Sequence, residues 1–243
     1  MSNLEEIVYK GPKVPIIGQK RGYFIAVEGM DGVGKSTQLD LLEKALSMTG
    51  FKVKSIRSPG GSILSEKIRG LVKNKKYDSM TPETELLLMS AAMGQTAQEV
   101  IKPALNEGCV VLCDRYHFST ICYQGARGLD YQFIKAVIQF NLKDVLPDIT
   151  FCLYLDKDEA NKRMKARGTT DRFEGASKDY LDKVQEKYDW LRKQESASKG
   201  KVIALDAKGS IKGIHTEIYK CTAARISELK DGTLDLAAKI ITI

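Results

Sequence analysis

Histidine is scarce in this sequence of 243 residues, which contains only His117 and His215. We therefore do not expect catalysis through a histidine-activated nucleophile. The five cysteines are odd in number and form no paired CxxC spacing, which argues against a disulfide framework and against a structural zinc site. Such thiols fit a reducing cytoplasm, which is the compartment we expect. The cysteines are Cys109, Cys113, Cys122, Cys152 and Cys221.

Long hydrophobic runs are also missing. No window approaches eighteen uncharged apolar residues, and residues 1–20 hold no apolar stretch followed by a small-residue cleavage site. We therefore expect no membrane span and no secretion signal. Hydrophobic residues make up 43% and charged residues 28%, as in an ordinary folded domain. The net charge of +7 favours an anionic partner, and at this point phosphate-bearing small molecules and nucleic acid are equally open.

The order of hydrophobic segments predicts one α/β domain. Short apolar runs typical of buried parallel strands alternate with segments whose apolar residues recur at helical spacing. This alternation favours a doubly wound parallel sheet with helices on both faces. We predict strands at 23–27, 53–56, 110–113, 149–155 and 202–205. We further predict an extended arm at 1–20, the domain at 21–230 and a tail at 231–243.

Several helices are marked by their ends or by their apolar faces. Thr81-Pro82 and Asp130 are predicted helix starts, because each places a capping side chain before helical periodicity. A basic helix is predicted around Ala160 and Met164, and a final helix at 211–229.

The strongest motif is the glycine-rich segment Gly29-Met30-Asp31-Gly32-Val33-Gly34-Lys35-Ser36, which matches GxxxxGK[ST]. It lies between a predicted strand and a predicted helix, as a phosphate-binding loop requires. In such a loop, backbone N–H groups point at phosphate oxygens and the helix N-terminus adds its positive end. Lys35 would reach the β- and γ-phosphates, and the Ser36 hydroxyl would bind Mg²⁺. The sequence therefore predicts binding of ATP or GTP.

The residues after the third predicted strand help to indicate which kind of reaction uses the triphosphate. A GTP-dependent switch needs Asn-Lys-x-Asp, but Asn74-Lys75-Lys76-Tyr77 lacks the final aspartate. A translocating ATPase typically ends a buried strand in Asp-Glu, whereas this chain has Asp114-Arg115. Asp114 could orient Mg²⁺ through water, and Arg115 could clamp a second phosphate group. The alternative is a simple salt bridge at the end of the strand.

A cation-rich segment at 162–174 breaks at Gly168 and is predicted to form a lid, about 163–176, over the phosphates. Such a lid would exclude water, so that the phosphoryl group goes to an acceptor. The alternative is a basic helix face exposed to solvent.

Further motifs follow the glycine-rich loop in order. They are Glu28-Gly29-Met30-Asp31-Gly32-Val33-Gly34-Lys35-Ser36-Thr37, Arg57-Ser58-Pro59-Gly60-Gly61, Asp114-Arg115-Tyr116 with Ser119-Thr120 and Tyr123-Gln124-Gly125, and Arg167 with Asp171-Arg172-Phe173-Glu174. Together they resemble the successive motifs of thymidylate kinases, from about Tyr23 to Leu229. The resemblance implies a P-loop NTPase fold of the nucleoside monophosphate kinase type, with a five-stranded parallel sheet, and commonly a homodimer. The implied reaction converts ATP and dTMP to ADP and dTDP with Mg²⁺.

The resemblance also implies roles for single residues. The catalytic residues would be Lys35, Arg57, Arg115 and Arg167. ATP would contact Gly29, Asp31, Gly32, Val33, Gly34, Lys35, Ser36, Thr37 and Arg172. The monophosphate would contact Asp31, Arg57, Met89, Met93, Arg115, Thr120, Tyr123, Gln124 and Glu174. Mg²⁺ would be held by Ser36 and Asp114. Because the loop has no arginine and the lid has Arg167, the chain resembles the bacterial type whose catalytic arginine lies in the lid.

The chain departs from the family pattern where the base would bind. Ser58 replaces a usual glutamate, Met89 falls at the position of the base-stacking phenylalanine, and Met93 at that of the arginine that bonds the thymine carbonyl. Methionines four residues apart share a helix face and could line an adaptable pocket, or that face could be ordinary core. We therefore hypothesise a relaxed or altered base preference, which could include dUMP, a 5-substituted pyrimidine or a purine.

A second class of function is a non-catalytic nucleotide-binding module whose basic surface binds nucleic acid or a protein. Arg57, Arg115 and Arg167 argue against it, because a binding module needs no second phosphate clamp and no lid arginine. We expect small-molecule nucleotides as partners and no nucleic acid.

Overall fold

A computed structural model describes residues 21–156, 159–160, 162–163, 172–173, 176–195 and 202–229. The predicted arm and tail lie outside these residues, and so does most of the predicted lid. Of the predicted basic helix, residues 159, 160, 162 and 163 are helical, and Met164 is outside the described part. The domain and lid boundaries therefore stay predictions.

The sheet has five strands, all in parallel. They are β1 (Tyr23–Glu28), β2 (Val53–Arg57), β3 (Val110–Asp114), β4 (Ile149–Tyr154) and β5 (Val202–Asp206). Their order across the sheet is β2, β3, β1, β4, β5, which confirms the predicted fold class. Each carboxyl end differs by one residue from the sequence-based prediction. Four strands continue into a final polar residue, because backbone pairing does not depend on an apolar side chain.

Helices connect the strands and cover both faces of the sheet. They are α1 (Lys35–Met48), α2 (Ile63–Lys73), α3 (Pro82–Thr96), α4 (Lys102–Asn106), α5 (His117–Ala126), α6 (Tyr131–Leu142), α7 (Lys178–Glu195) and α8 (Ile211–Leu229), with a π-helical stretch at Ala97–Ile101. The predicted caps are present. Thr81 Oγ1 accepts the Thr84 N–H at 3.2 Å, and Asp130 Oδ1 accepts the Phe133 N–H at 2.9 Å.

Alternate residues of β1 supply the two halves of the core. Phe24 and Ala26 belong to a cluster with side chains of α3, α5, α6 and α7, while Ile25 and Val27 pack with α1 and α8. The alternation follows from the two-residue period of a strand. The sheet is thereby fixed between two helical layers, and its strand ends are held in place.

The carboxyl ends of β1, β2 and β3 meet at one edge of the sheet. Val27 and Arg57 both pair with Asp114 in the register, so the loop after β1, the residue after β3 and the end of β2 lie side by side. Ligands of doubly wound folds bind at such strand ends. None of the described helices combines the length and apolar character that crossing a bilayer would need.

Candidate active site

The loop between β1 and α1 adopts a backbone that only glycine accommodates easily. Gly29, Gly32 and Gly34 have φ values of 134°, 83° and 97°. A Cβ at Gly29 would lie 2.2 Å from the Leu153 carbonyl oxygen, so β4 leaves no room for a side chain there. The loop ends at Gly34, the N-cap of α1, and its valine, Val33, is buried on the α1 side of the sheet. Free N–H groups at a helix N-terminus form a phosphate site.

Lys35 is the buried cation of this loop. Its side chain is 6% exposed, its Nζ donates to the Met30 carbonyl at 2.8 Å, and the Asp31 carboxylate lies 3.9 Å away. Burial and the nearby Arg115 charge lower the pKa of Lys35 to about 8, although Asp31 and other carboxylates oppose the shift. The ammonium is held inside the loop. There it can exchange its hydrogen bond to the Met30 carbonyl for one to a phosphate oxygen.

Arg115 crosses the site just after β3. Its φ of 68° is left-handed, a conformation that costs a non-glycine residue free energy and directs its side chain into the cavity. Nη1 donates to the Gly29 carbonyl at 2.8 Å and Nη2 to Asp31 Oδ1 at 2.6 Å. Tyr123 Oη donates to Asp31 Oδ2 at 3.2 Å. These bonds join four residues that the sequence assigned to the site, namely Gly29, Asp31, Arg115 and Tyr123.

The charge on Asp31 is secured by the same contacts. Burial raises the pKa of its carboxyl, but the charges of Arg115 and Lys35 and the bond from Arg115 outweigh burial, so the pKa lies well below its usual range. Asp31 is therefore a permanent anion in the middle of the cations.

A buried hydrogen-bond network behind Arg115 was not predicted from the sequence. Glu28 is fully buried; its Oε1 accepts the Tyr116 and Ser119 N–H groups at 2.7 and 3.1 Å, which caps α5. Its Oε2 accepts from the Ser119 hydroxyl at 2.6 Å and the Tyr188 phenol at 3.1 Å. Tyr188 Oη also lies 3.2 Å from Arg115 Nη1. The only signal in the sequence was a charged residue at the end of an apolar strand.

Ser36 and Asp114 lie together, as a magnesium site requires. The Ser36 hydroxyl donates to Asp114 Oδ2 at 3.1 Å, and Asp114 Oδ1 is buried without a protein donor among the described residues. In that same part of the chain no three His, Cys, Asp or Glu side chains gather into a metal cage. Mg²⁺ commonly uses one or two protein oxygens and takes the rest from phosphates and water. The pair therefore fits this ion.

A cavity of about 280 Å³ opens above the loop. Predicted site residues that line it are Asp31, Gly32, Gly34, Lys35, Ser36, Arg57, Met89, Asp114, Arg115, Thr120, Tyr123 and Gln124. Arg57 is 58% exposed and its Nη2 lies 3.1 Å from Glu66 Oε2. Among the other lining residues, Arg69 and Lys73 belong to none of the sequence motifs, and Phe173 lies in the Asp171-Arg172-Phe173-Glu174 motif but was assigned no role.

The cavity has cationic and uncharged lining residues. The cations are Lys35, Arg57, Arg69, Lys73 and Arg115, while Met89, Thr120, Gln124 and Phe173 are uncharged. Thr37 lies in the first turn of α1 but is not among the lining residues.

The two methionines of α3 separate, which corrects the expectation that both line the pocket. Met89 is half-buried and lines the cavity, but Met93 is 1% exposed and packs in the core. A spacing of four places both on one face of the helix, yet the cavity covers only part of that face. Met93 lies one helical turn further along α3, where it contacts the core.

Arg172 is also placed differently from the prediction that it binds ATP. It is buried, its Nε donates to the Val72 carbonyl at 2.9 Å, and its Nη2 donates to Glu85 Oε2. These contacts hold Arg172 against α2 and α3. The buried Glu85 carboxylate requires a cation as its partner, and Arg172 supplies it. The other predicted lid residues, Arg167 and Glu174, lie outside the described residues.

Comparison with known proteins gives a consistent family. A family model described as thymidylate kinase matches residues 27–218. The chain is 36% identical to a thymidylate kinase of Exiguobacterium sp. (strain ATCC BAA-1283 / AT1b), over 85% of this chain and 97% of that protein. It is 44% identical to one of Pseudomonas syringae pv. syringae, over 69% of this chain and 80% of that protein. It is 35% identical to one of Colwellia psychrerythraea, over 87% of this chain and 99% of that protein.

Proposed function

The chain belongs to the thymidylate kinase family, and we propose that its cavity transfers the γ-phosphoryl group of ATP to dTMP, which gives ADP and dTDP. The observation that carries this proposal is one cavity that joins the phosphate loop to a second pair of cations, Arg57 and Arg115. A phosphate oxygen of dTMP attacks the γ-phosphorus, and the bond to the bridging β-oxygen breaks. The leaving oxygen stays on ADP.

Phosphoryl transfer depends on positioning and charge neutralisation more than on acid–base groups. Lys35 neutralises the β- and γ-phosphates, and Arg115 and Arg57 hold the acceptor phosphate in line. Asp31 fixes the Arg115 guanidinium through a bond of 2.6 Å and offers its other oxygen to the deoxyribose. Tyr123, held to the same carboxylate at 3.2 Å, lies against the sugar.

Ser36 and Asp114 would hold Mg²⁺. When bound there, the ion neutralises charge on the β- and γ-phosphate oxygens. The orphaned Asp114 Oδ1 supports this assignment, since a buried carboxylate oxygen needs a partner. The resemblance to the family also implies roles for Arg167 and Glu174, which lie outside the described residues.

We propose that the base lies against the uncharged lining residues Met89, Thr120, Gln124 and Phe173, which we call the base end of the cavity. Gln124 and Thr120 supply polar groups and Met89 supplies an adaptable apolar wall. Because the family's arginine position is occupied by buried Met93, we retain a relaxed base preference as part of the proposal, so that other deoxynucleoside monophosphates or a modified pyrimidine could also be accepted.

We further propose a homodimer through α3 and α6. Leu87, Phe133 and Phe140 are 55%, 51% and 84% exposed on these two helices, which pack against each other. Exposed aromatic residues of this size commonly mark a protein interface. Sedimentation velocity tests this: wild type should sediment as a dimer and Phe140→Asp as a monomer. A monomeric wild type would contradict it.

The described residues also support a reducing compartment, because all five cysteines are free thiols. The cytoplasm remains our proposal, with nucleotides and no nucleic acid as partners.

A coupled ADP-release assay tests the activity. Wild type with ATP and Mg²⁺ is given dTMP, dUMP, dCMP, dGMP, dAMP or UMP, beside reactions without acceptor. We expect release that depends on dTMP, and its spread over the other bases measures specificity. ADP release that is unaffected by every monophosphate but increases on addition of DNA would instead favour the nucleic-acid-binding class.

Arg115→Ala makes the assay sharper. It should lower kcat/KM for dTMP while ATP affinity is kept, since Arg115 faces the acceptor. Arg21→Ala is the matched control, because Arg21 pairs with Asp148 at the opposite end of β1. Equal effects of the two variants would contradict the assignment.

A further inference from the structure

Gln124 is held in one orientation by its surroundings. Its side chain is fully buried and lines the cavity. Nε2 donates to Glu85 Oε1 at 2.9 Å. No donor among the described residues reaches Oε1, which is also buried. An ionised carboxylate only accepts hydrogen bonds, so Glu85 requires the NH₂ group of Gln124 to face it. The carbonyl oxygen is the part of the amide left for a ligand.

Glu85 is itself strongly fixed. It is fully buried in the first turn of α3 and pairs through Oε2 with Arg172 and, at 3.4 Å, with Arg127. Two arginines pair with this carboxylate in a buried place, where a lone charge would be costly. Arg172 directly precedes Phe173, whose side chain lines the cavity. One carboxylate thus holds the amide of α5 and the segment that carries an aromatic wall.

We propose that Glu85 is a positioning residue that sets base preference, because it keeps Gln124 as a hydrogen-bond acceptor in the cavity. This inference rests on the proposed function and deepens it. Glu85 touches no substrate and acts through Gln124. An acceptor placed opposite N3 of a pyrimidine selects a base that carries a proton on that nitrogen. Thymine and uracil offer N3–H, while cytosine has an unprotonated N3 that would face the Gln124 oxygen as a second acceptor.

The specific expectation is that wild type uses dTMP and dUMP in preference to dCMP. This preference arises although Met89 and Met93 take the places where the family has other residues. Discrimination in this chain therefore depends on an amide orientation, and a change at Glu85 alters it without any contact with the base.

Glu85→Gln tests the proposal. A glutamine at 85 can accept from or donate to Gln124, so both amide orientations become available. We expect the ratio of kcat/KM for dTMP to that for dCMP to fall about tenfold, the worth of one hydrogen bond. Gln124→Leu removes the acceptor and should lower the ratio similarly, and the double variant should lower it no further than either single one.

Two controls separate this role from general destabilisation. Arg127→Gln disturbs the same carboxylate but leaves the amide contact, so it should reduce thermal stability and leave the ratio unchanged. Glu83→Gln changes an exposed carboxylate in the same turn and should change neither. If Glu85→Gln does not fold, Glu85→Asp keeps the charge for the arginines but withdraws it from Gln124, and the same fall in the ratio is expected.

An unchanged ratio in folded Glu85→Gln or Glu85→Asp overturns the proposal, even when wild type phosphorylates dTMP. A fall of equal size in Arg127→Gln overturns it as well. If wild type releases no ADP on addition of dTMP, the proposed function itself fails, and this inference fails with it.

Discussion

The two ends of the cavity are built by different means. At the phosphate end, Lys35, Arg115 and Asp31 contact one another and the loop carbonyls, and Glu28 fixes the helix behind them. At the proposed base end the side chains are uncharged, and the Gln124 amide is held by one buried carboxylate, Glu85. Because the charged side chains at the phosphate end bind one another, substitution of any one of them leaves another without its partner. At an end formed by a methionine and an amide, substitutions can change the base preference while phosphoryl transfer is kept.

Lys35→Met should have the largest effect, and it tests whether the phosphate end carries the chemistry. It removes a buried cation from the developing charge, so we expect kcat for dTMP to fall about 10³-fold. ADP release at saturating substrates measures this. Lys44→Met, exposed on the same helix, is the control and should leave kcat unchanged. A rise in KM with kcat unchanged would mean that Lys35 binds the ground state and the transition state equally, which would contradict this role.

The paired variants Met93→Ala and Met89→Ala test how far the base end of the cavity extends along α3. Met93 is fully buried, so its loss should lower the free energy of unfolding by about 3 kcal/mol. Met89 lines the cavity, so its loss should cost less stability but raise KM for dTMP about fivefold. Urea denaturation and initial rates measure the two effects. Equal effects on KM would show that both side chains reach the base.

The pH dependence tests the charge on Lys35. Because its pKa is lowered from 10.5 to about 8, the free enzyme loses this cation above pH 8, and kcat/KM for ATP should fall about tenfold per pH unit. Stability should change in the opposite sense. Between pH 8 and 10.5 the unfolded chain binds the proton more tightly than the folded one, so the contribution of Lys35 to stability rises with pH.

Lys35→Arg serves as the comparison for both pH measurements. Its charge does not titrate in this range, so any decline above pH 8 that persists in this variant belongs to another group.

Tyr188→Phe should have the smallest effect of the four. Its phenol donates to Glu28 and lies beside Arg115, and burial together with the Glu28 charge raises its pKa well above the usual range, so it stays a donor. Losing one bond should lower kcat/KM for dTMP about fivefold, with ATP affinity unchanged. Tyr219→Phe, in the layer of α1 and α8, should leave rates as they are. An effect on ATP affinity would contradict a role through Arg115.

The parts of the site that the sequence predicted are those set by local order. The glycine pattern determines the backbone of the loop, and the residues after a parallel strand must lie at its carboxyl edge. The order of residues alone therefore brings Lys35, Ser36, Asp114 and Arg115 together. The helix caps at Thr81 and Asp130 are local in the same sense.

The parts that the sequence could not predict depend on partners far along the chain. Glu28 meets Tyr188 across 160 residues, and Glu85 meets Arg172 across 87. Periodicity assigns a side chain to a helix face but not to a neighbour on that face. For this reason the sequence does not distinguish Met89 from Met93, and it does not indicate the orientation of the Gln124 amide.

The position of β2 has a consequence for handling the protein in solution. In the sheet as described, β2 pairs with β3 on one side only, so its other edge can accept a strand from a second molecule. Lys54 and Arg57 are exposed along this short strand. A second β2 laid against it would bring like charges together, which opposes edge-to-edge aggregation. Arg57, which we propose to hold the acceptor phosphate, thus has a second role in opposing aggregation at the edge of the sheet.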